Sequence, residues 1–477
     1  MSGLHFSPLP CLWGMGLQQR RASSRPTATV LVLASVMGLV AACSGGGGVP
    51  DGGAGIGGAG AAGAGGGNVA SVTYYQDVAP ILQAKCVTCH VPGGIAPFAL
   101  DTPVAAVQQA LVMKLVTAAR EMPPWPPGAL SPKMLHDRSL TDAQIAVLAA
   151  WADAGAPLGD AAHPAPPGQP DAVDIGTPDF SVDMGVDYIP DTSLTDDYHC
   201  FLVDLHRTDD RMITGYRITP GNGRIVHHVI TSLFAASDRA TLEALDAETP
   251  ARAGWPCVGG PVPVDSAAKP DGSLGAWVPG VSSVVMPAGT GTALHAGDLA
   301  VMQVHYNLLA GHDPDRTKIE VKLAPAGTET SLQQLATLRL VRRQLNLTAN
   351  QAGIVQETTL AANLWTLGKF YPDGEASLLA IAGHMHLLGT HITLERTNTS
   401  GTTTLLDIPA WDFHWQGSYQ LATPIPIHAD DQLTIRCSYD NTAERRAEEG
   451  YVGPIADVHW GEGTQDEMCI GYLTVVD

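Results

Sequence analysis

Gln432-Leu433-Thr434-Ile435-Arg436-Cys437 alternates polar and apolar residues without a break. Successive side chains of a strand point to opposite faces, so a period of two writes a strand with one wet face and one buried face. The same texture recurs at 199–205, 300–306, 378–381 and 391–395, between clusters of Gly, Pro, Asp and Asn. Strands at that density without long intervening helices predict β-sandwiches. Roughly 280 residues of this exceed one compact sandwich, so two all-β, jelly-roll-like domains are expected, over 195–330 and 331–477.

The texture upstream is different. Residues 141–154 place Ile145, Leu148 and Trp151 on one helical face, and Thr141 with Gln144 three residues on is a cap signature. Residues 74–85 also have helical spacing and lead into Cys86-Val87-Thr88-Cys89-His90. Two thiols three residues apart can add to the two vinyl groups of one haem, and the next imidazole then lies under the iron. A redox dithiol or half of a zinc site needs no adjacent histidine, and no second thiol pair is nearby. Residues 70–158 are therefore expected as a small all-α, cytochrome c-like domain carrying one covalent c-type haem. Met122, in Glu121-Met122-Pro123-Pro124-Trp125, is the preferred sixth ligand, because flanking prolines hold an extended loop without backbone donors of their own. Met134 is its rival, while Met113 sits in a helical pattern that suits core packing. A Met/His pair favours electron carriage over oxygen binding.

Arg20, Arg21 and Arg25 precede an apolar run from Thr27 to Val40, followed by Ala41-Ala42-Cys43. This is the layout of a secretory signal over 1–42, with Cys43 placed as in a bacterial lipobox. Cleavage there and acylation of Cys43 would make an exported protein of the periplasm or cell envelope, held to the membrane by lipid alone. Residues 43–69 are almost entirely Gly and Ala, a tether that cannot bury a core. A stretch rich in Pro, Ala and Asp makes 159–194 an expected interdomain linker. The net charge of −21 becomes more negative once the leader's arginines are removed, which argues against nucleic acid or an anionic lipid surface as a partner. Outside the leader, Cys43 and the haem pair, four cysteines remain: Cys200, Cys257, Cys437 and Cys469. An even remainder in an exported chain points to two disulfides.

Histidines in the β-rich part suggest metal. His384-Met385-His386 sets two imidazoles at i and i+2, on one face of a strand. His227-His228 differs, since adjacent strand residues point oppositely. Both can serve one ion only if the backbone twists there or the ring nitrogens nearest the backbone are used.

Arg224-Ile225-Val226-His227-His228-Val229, Met302-Gln303-Val304-His305-Tyr306, Gly383-His384-Met385-His386-Leu387 and Asp466-Glu467-Met468-Cys469 resemble, in order, motifs of the copper type II, ascorbate-dependent monooxygenases. That family includes the peptidylglycine α-hydroxylating and dopamine β-monooxygenases, and the resemblance spans about 195–477. It implies two copper ions: an electron-storing one held by His227, His228 and His305, and an oxygen-binding one held by His384, His386 and Met468. It also implies a Cys437–Cys469 disulfide beside Met468, which leaves Cys200 and Cys257 as the second pair. Gln303 matches a residue of the first motif, and Tyr472 an aromatic substrate contact; each is equally readable as an ordinary strand residue. The implied reaction is hydroxylation of a C–H bond with O₂ and an external electron donor, a cytochrome or an ascorbate-like reductant. A thioether is a soft, neutral donor suited to Cu(I), the state that must meet O₂.

The chain departs from the peptide-hydroxylating members at two positions. Ala382 and Ile470 stand where those members carry an arginine and an asparagine that clamp a peptide carboxylate. A small neutral or less polar organic substrate therefore fits better. His295, His391, His414 and His459 fall outside the motifs, with His391 and His459 the first to check because they flank the second ligand set in sequence. The competing reading is a non-catalytic copper and haem carrier, but two differently ligated sites favour an enzyme.

Overall fold

In the computed structural model, residues 432–437 lie in strand β19 (Gln432–Tyr439), where Leu433, Ile435, Cys437 and Tyr439 are buried and the residues between them are not. The structure describes residues 72–92, 96–169, 173–278, 281, 283–308, 311–365, 374–451 and 453–477. Every described residue lies within the single compact unit Asn68–Asp477. The leader, Cys43 and the Gly/Ala tether lie outside the described residues. Among the described residues no helix is long and apolar enough to cross a membrane.

The structure is mostly β-sheet. One five-stranded sheet runs in the order β5 (Trp255–Pro256), β2 (Asp196–Asp204), β9 (Leu299–Asn307), β4 (Val226–Phe234) and β6 (Gly272–Trp277). It packs on a second sheet, β1 (Phe180–Asp183), β10 (Lys318–Leu323), β3 (Arg211–Thr219), β8 (Thr290–Leu294) and β11 (Gln333–Gln334), with β7 (Val284–Val285) also on β3. Ile213, Ile319 and Val321 from one sheet meet Val229, Met302 and Val304 from the other in a shared core. Strand β9 departs from simple alternation, since eight of its nine residues are buried. Its other face is covered by the excursion containing α5 (Arg239–Ala247), through Cys200, Leu242, Trp255, Leu299 and Val301. Strand β1 lies inside the stretch read as a linker, because Phe180 and Val182 pack against this core.

The second pair of sheets is β12 (Ala336–Val341), β21 (Ile470–Val476), β15 (Glu375–His384), β18 (Ser418–His428), and β14 (Ile354–Ala361), β19, β16 (Gly389–Asn398), β17 (Gly401–Ile408). Short strands β13 (Asn346–Leu347) and β20 (Val458–His459) pair beside them. Ile381 and Leu473 from one sheet and Leu394 and Ile435 from the other form its core.

Ahead of the sheets lie α1 (Ala79–Lys85), α2 (Pro103–Gln108), α3 (Ala110–Ala118) and α4 (Asp142–Asp153), sharing a core around Leu82, Leu148 and Trp151. The expected capping box on α4 is present, with Thr141 and Gln144 bonding reciprocally. The segment between α3 and α4 packs on the second sandwich: Trp125 meets Tyr419 edge-on at 5.4 Å, and Leu135 N–H donates to the Gln420 carbonyl at 2.8 Å. Gly128 is required there, since a Cβ would lie 2.8 Å from both Asp407 and Pro409.

Candidate metal centres

His228 on β4 and His305 on β9 face each other directly across the ladder. The register slips between Val226 and His228, so His227 is the extra residue of a bulge. A bulge re-aims its side chain, and the His227 ring turns toward its neighbours instead of away. His227 Nδ1 then lies 3.3 Å from His228 Nδ1. Both features that the sequence left open are present, a backbone irregularity and a close approach of the ring nitrogens nearest the backbone. One ligand atom from each of His227, His228 and His305 falls within 4.8 Å of the others.

The surroundings fix these rings as neutral donors. His305 Nε2 is 2.8 Å from Asp196 Oδ1, and the Tyr198 ring stacks on the imidazole at 4.0 Å between centroids. His305 Nδ1 and His227 Nε2 are buried with no hydrogen-bond partner among the described residues. Burial holds the pKa values of His227 and His228 well below the usual imidazole value, with further depression from the other site histidines; burial also lowers His305. Converging neutral imidazoles with an orphaned, buried nitrogen fit a copper ion.

The second set is assembled by β15 and β21. His384 closes β15 opposite Ile470, and His386 and Met468 lie just beyond that pair, joined through the Glu467 carboxylate, which accepts from both backbone N–H groups. The two imidazole rings are 5.1 Å apart. His384 Nδ1 is 2.6 Å from Gln416 Oε1, and His386 Nδ1 is 3.1 Å from the Asp466 carbonyl, which leaves Nε2 of each for a metal. Met468 is buried, and its carbonyl accepts from the Tyr439 hydroxyl at 2.8 Å. The disulfide Cys437–Cys469 fastens the residue after Met468 to β19, and Cys200–Cys257 joins β2 to the residue that follows β5.

Glu467 is the residue that sequence reading passed over. Fully buried, its carboxylate accepts from the backbone N–H of His386 at 2.9 Å, Leu388 at 2.6 Å and Met468 at 3.3 Å. It thereby ties the His384–His386 arm to the Met468 arm. Burial pushes its pKa up to about 8, against the pull of those N–H groups. Only its place within the fourth motif hinted at a role.

His386 carries a pH prediction. Burial lowers its pKa to about 3, with His384 adding to the effect. Above the unfolded value near 6.5 its neutral form costs nothing. As pH falls from there toward 3, the unfolded chain gains a proton that the fold refuses, and stability drops by about 1.4 kcal/mol per pH unit. Urea unfolding of metal-free protein between about pH 7 and pH 5 is expected to show this loss, with a shallower slope in His386→Ala.

One loop touches both ligand sets. Trp411 Nε1 donates to the His386 carbonyl at 3.1 Å, Gln416 holds His384, and buried Phe413 stacks on His227 at 4.6 Å while meeting His386 edge-on at 5.7 Å. His414 lies beside Phe413 and contributes to lowering His227. The two histidines marked for checking are engaged elsewhere: His391 with Asp407 at 2.8 Å, and His459 with the Leu345 carbonyl at 3.3 Å. His295 lies beside Asp298, on the turn between β8 and β9. Gln303 donates to the Cys257 carbonyl at 2.7 Å, so it braces the disulfide loop. Tyr472 stands opposite Ala382 on β15, and directly opposed residues share a face, so both are on the His384 side of the sheet.

In the helical block, Cys86 and Cys89 are unbridged thiols following α1, and burial pushes the Cys86 thiol up to about 12. His90 Nδ1 is 3.0 Å from the Phe98 carbonyl, leaving Nε2 available. Met122 and Trp125 line a cavity of about 490 Å³ together with Leu140 and Ile145. Met134 lines it too, but is buried in the core of the second sandwich, bridged to Leu421. Met113 is buried in the helical core, as its pattern predicted. These thiols and the imidazole fit a covalent haem by donor type.

Residues 368–475 match the family described as copper type II ascorbate-dependent monooxygenase, C-terminal domain. The match covers that stretch alone and supports a domain of this family there; the family's members are copper-dependent oxidoreductases that use O₂, an organic substrate and an ascorbate-type reductant. No curated protein matches the chain in sequence. Among solved structures, a xanthan lyase of Paenibacillus is 11% identical with a TM-score of 0.13, covering 65% of this chain and 27% of its own. A structure of infectious bursal disease virus, Gx strain, is 10% identical with a TM-score of 0.16, over 61% of this chain and 73% of that one. The coconut allergen cocosin is 9% identical with a TM-score of 0.12, over 63% and 84%. Overlaps this loose carry no argument about fold or function.

Proposed function

We propose that the protein is an exported copper monooxygenase that hydroxylates a C–H bond of a small, weakly polar organic molecule with O₂, taking electrons through a c-type haem in its helical block. The observation that carries this reading is the bulge at His227, which brings three imidazoles together for one metal opposite a separate His384, His386 and Met468 set. Copper, when bound, supplies one-electron redox change and O₂ activation, and hydroxylation needs two electrons, one for each site to hold. Asp196 and Gln416 fix the orientation of His305 and His384, so their metal-facing nitrogens are set before any ion arrives. Met468 supplies a soft donor that favours the reduced state. Ala382, Ile470 and Tyr472 form the sheet face next to His384, with no charge for a substrate carboxylate at the first two positions. Trp411 and Phe413, both buried, keep water from the ligand sets.

Cys86, Cys89 and His90 would hold the haem, with Met122 as the sixth ligand; Met134 is the weaker choice because it is committed to the sandwich core. Export and lipid anchoring at Cys43 rest on the leader sequence, and the two disulfides accord with an oxidising compartment.

The test is anaerobic reduction of copper-loaded protein, followed by ¹⁸O₂ and a panel of small hydrophobic and phenolic compounds. Incorporation of label into one of them is expected; copper reoxidation with no oxygenated product from any would contradict the reading. In the same preparation, His90→Ala is expected to slow copper reduction by a cytochrome donor but not by ascorbate. Equal rates with both donors would remove the haem from the route.

A further inference from the structure

Three of the proposed ligand histidines have their rings fixed by a hydrogen bond at the nitrogen turned from the metal: His305 by Asp196, His384 by Gln416, His386 by the Asp466 carbonyl. His227 has none, and its Nε2 is buried without a partner among the described residues. What lies flat against its ring, at 4.6 Å and 19° between planes, is Phe413. Phe413 belongs to the loop that serves the other ligand set. Its carbonyl accepts from Gln416 Nε2 at 2.9 Å, and Gln416 Oε1 holds His384. Trp411, two residues earlier, holds the His386 carbonyl.

We infer that Phe413 is a positioning residue that couples the two metal sites, so that filling the second site tightens metal binding at the first. This rests on the copper reading above. His384 and His386 are already oriented by Gln416 and the Asp466 carbonyl; with a metal bound, both would be held more tightly still, and the restraint would pass through Gln416 to residues 411–416, which Trp411 also anchors at the His386 backbone carbonyl. Phe413 already lies against His227, and a loop held more tightly would restrict that ring further, so the ring would lose less rotational freedom on binding. The coupling is reciprocal, as linkage requires. A second contact between the sets, Thr464 Oγ1 to Asp196 Oδ1 at 2.8 Å, acts on His305 and leaves His227 untouched.

The experiment is a double-mutant cycle on the full chain. Cu(II) affinity at the first site is measured by chelator competition, followed by its EPR signal, in wild type, His386→Ala, Phe413→Ala and the double variant. His386→Ala is expected to weaken first-site affinity by about fivefold or more, the usual lower scale of coupling between sites. In the Phe413→Ala background the same change is expected to do nothing, and the EPR hyperfine pattern of that variant should broaden from a less fixed ring. Phe413→Leu fills the volume without a ring and should also lose the coupling, whereas Phe413→Tyr should keep it. An undiminished effect of His386→Ala in Phe413→Ala or in Phe413→Leu overturns the inference while leaving the copper sites standing. Absence of Cu(II) binding that depends on His227, His228 and His305 defeats the copper reading itself.

Discussion

Met468→Ala is expected to cut product formation by about a hundredfold to a thousandfold, while the copper held by His227, His228 and His305 stays in place. The size is that of removing one group that acts only at the reacting centre. Met468 is buried in a strand approach fixed on both sides, by Glu467 before it and the Cys437–Cys469 disulfide after it. Alanine supplies no donor in place of the thioether, so the second site is left with two imidazoles and loses its preference for the reduced state. Truncation also opens a cavity costing about 2–5 kcal/mol. Met468→Leu separates the two effects, since it refills the volume without a sulfur. Thermal unfolding should recover in the leucine variant and turnover should not. Turnover near wild type in Met468→Leu would show that the sulfur has no part in the reaction.

Glu467→Ala is expected to be the most destabilising single change near the sites. Three backbone N–H groups, those of His386, Leu388 and Met468, lose their acceptor inside the protein. An unsatisfied buried donor costs about 1–3 kcal/mol, so the sum is on the order of several kcal/mol. The loss also separates the two arms of the second site, and its metal should go with it. Glu467→Gln offers one acceptor oxygen and one donor nitrogen, so it can serve Leu388 or the His386 and Met468 pair but not both. Its unfolding midpoint should fall between those of wild type and the alanine variant. A Glu467→Ala protein with wild-type midpoint and full second-site copper would mean that water or another group satisfies these donors.

What the sequence made legible was local. The alternation at 432–437 and the cap at Thr141 depend on residues within a few positions, and both are present in the structure. The His384 and His386 pair was readable because i and i+2 on a strand share a face. His227 could only be posed as a question, because a bulge depends on how β4 pairs with β9, two strands some seventy residues apart. Glu467 and Phe413 were illegible for the same reason: each acts across the fold, on residues about eighty and nearly two hundred positions away. His391 and His459, near the second ligand set in sequence, are engaged elsewhere, whereas His414, beside Phe413, adds to the lowering of the His227 pKa. The packing of the 122–135 segment on the second sandwich, with Met134 in that core, is likewise a long-range contact that residue spacing does not encode.

The central claim is two metal sites built from two separate ligand sets, and copper content per folded chain after dialysis tests it most directly. The account predicts two coppers in the wild-type protein, one in a His227→Ala/His305→Ala variant and one in a His384→Ala/His386→Ala variant. A His384→Ala/His386→Ala protein that still holds two coppers, or a wild-type protein that holds only one, would contradict it.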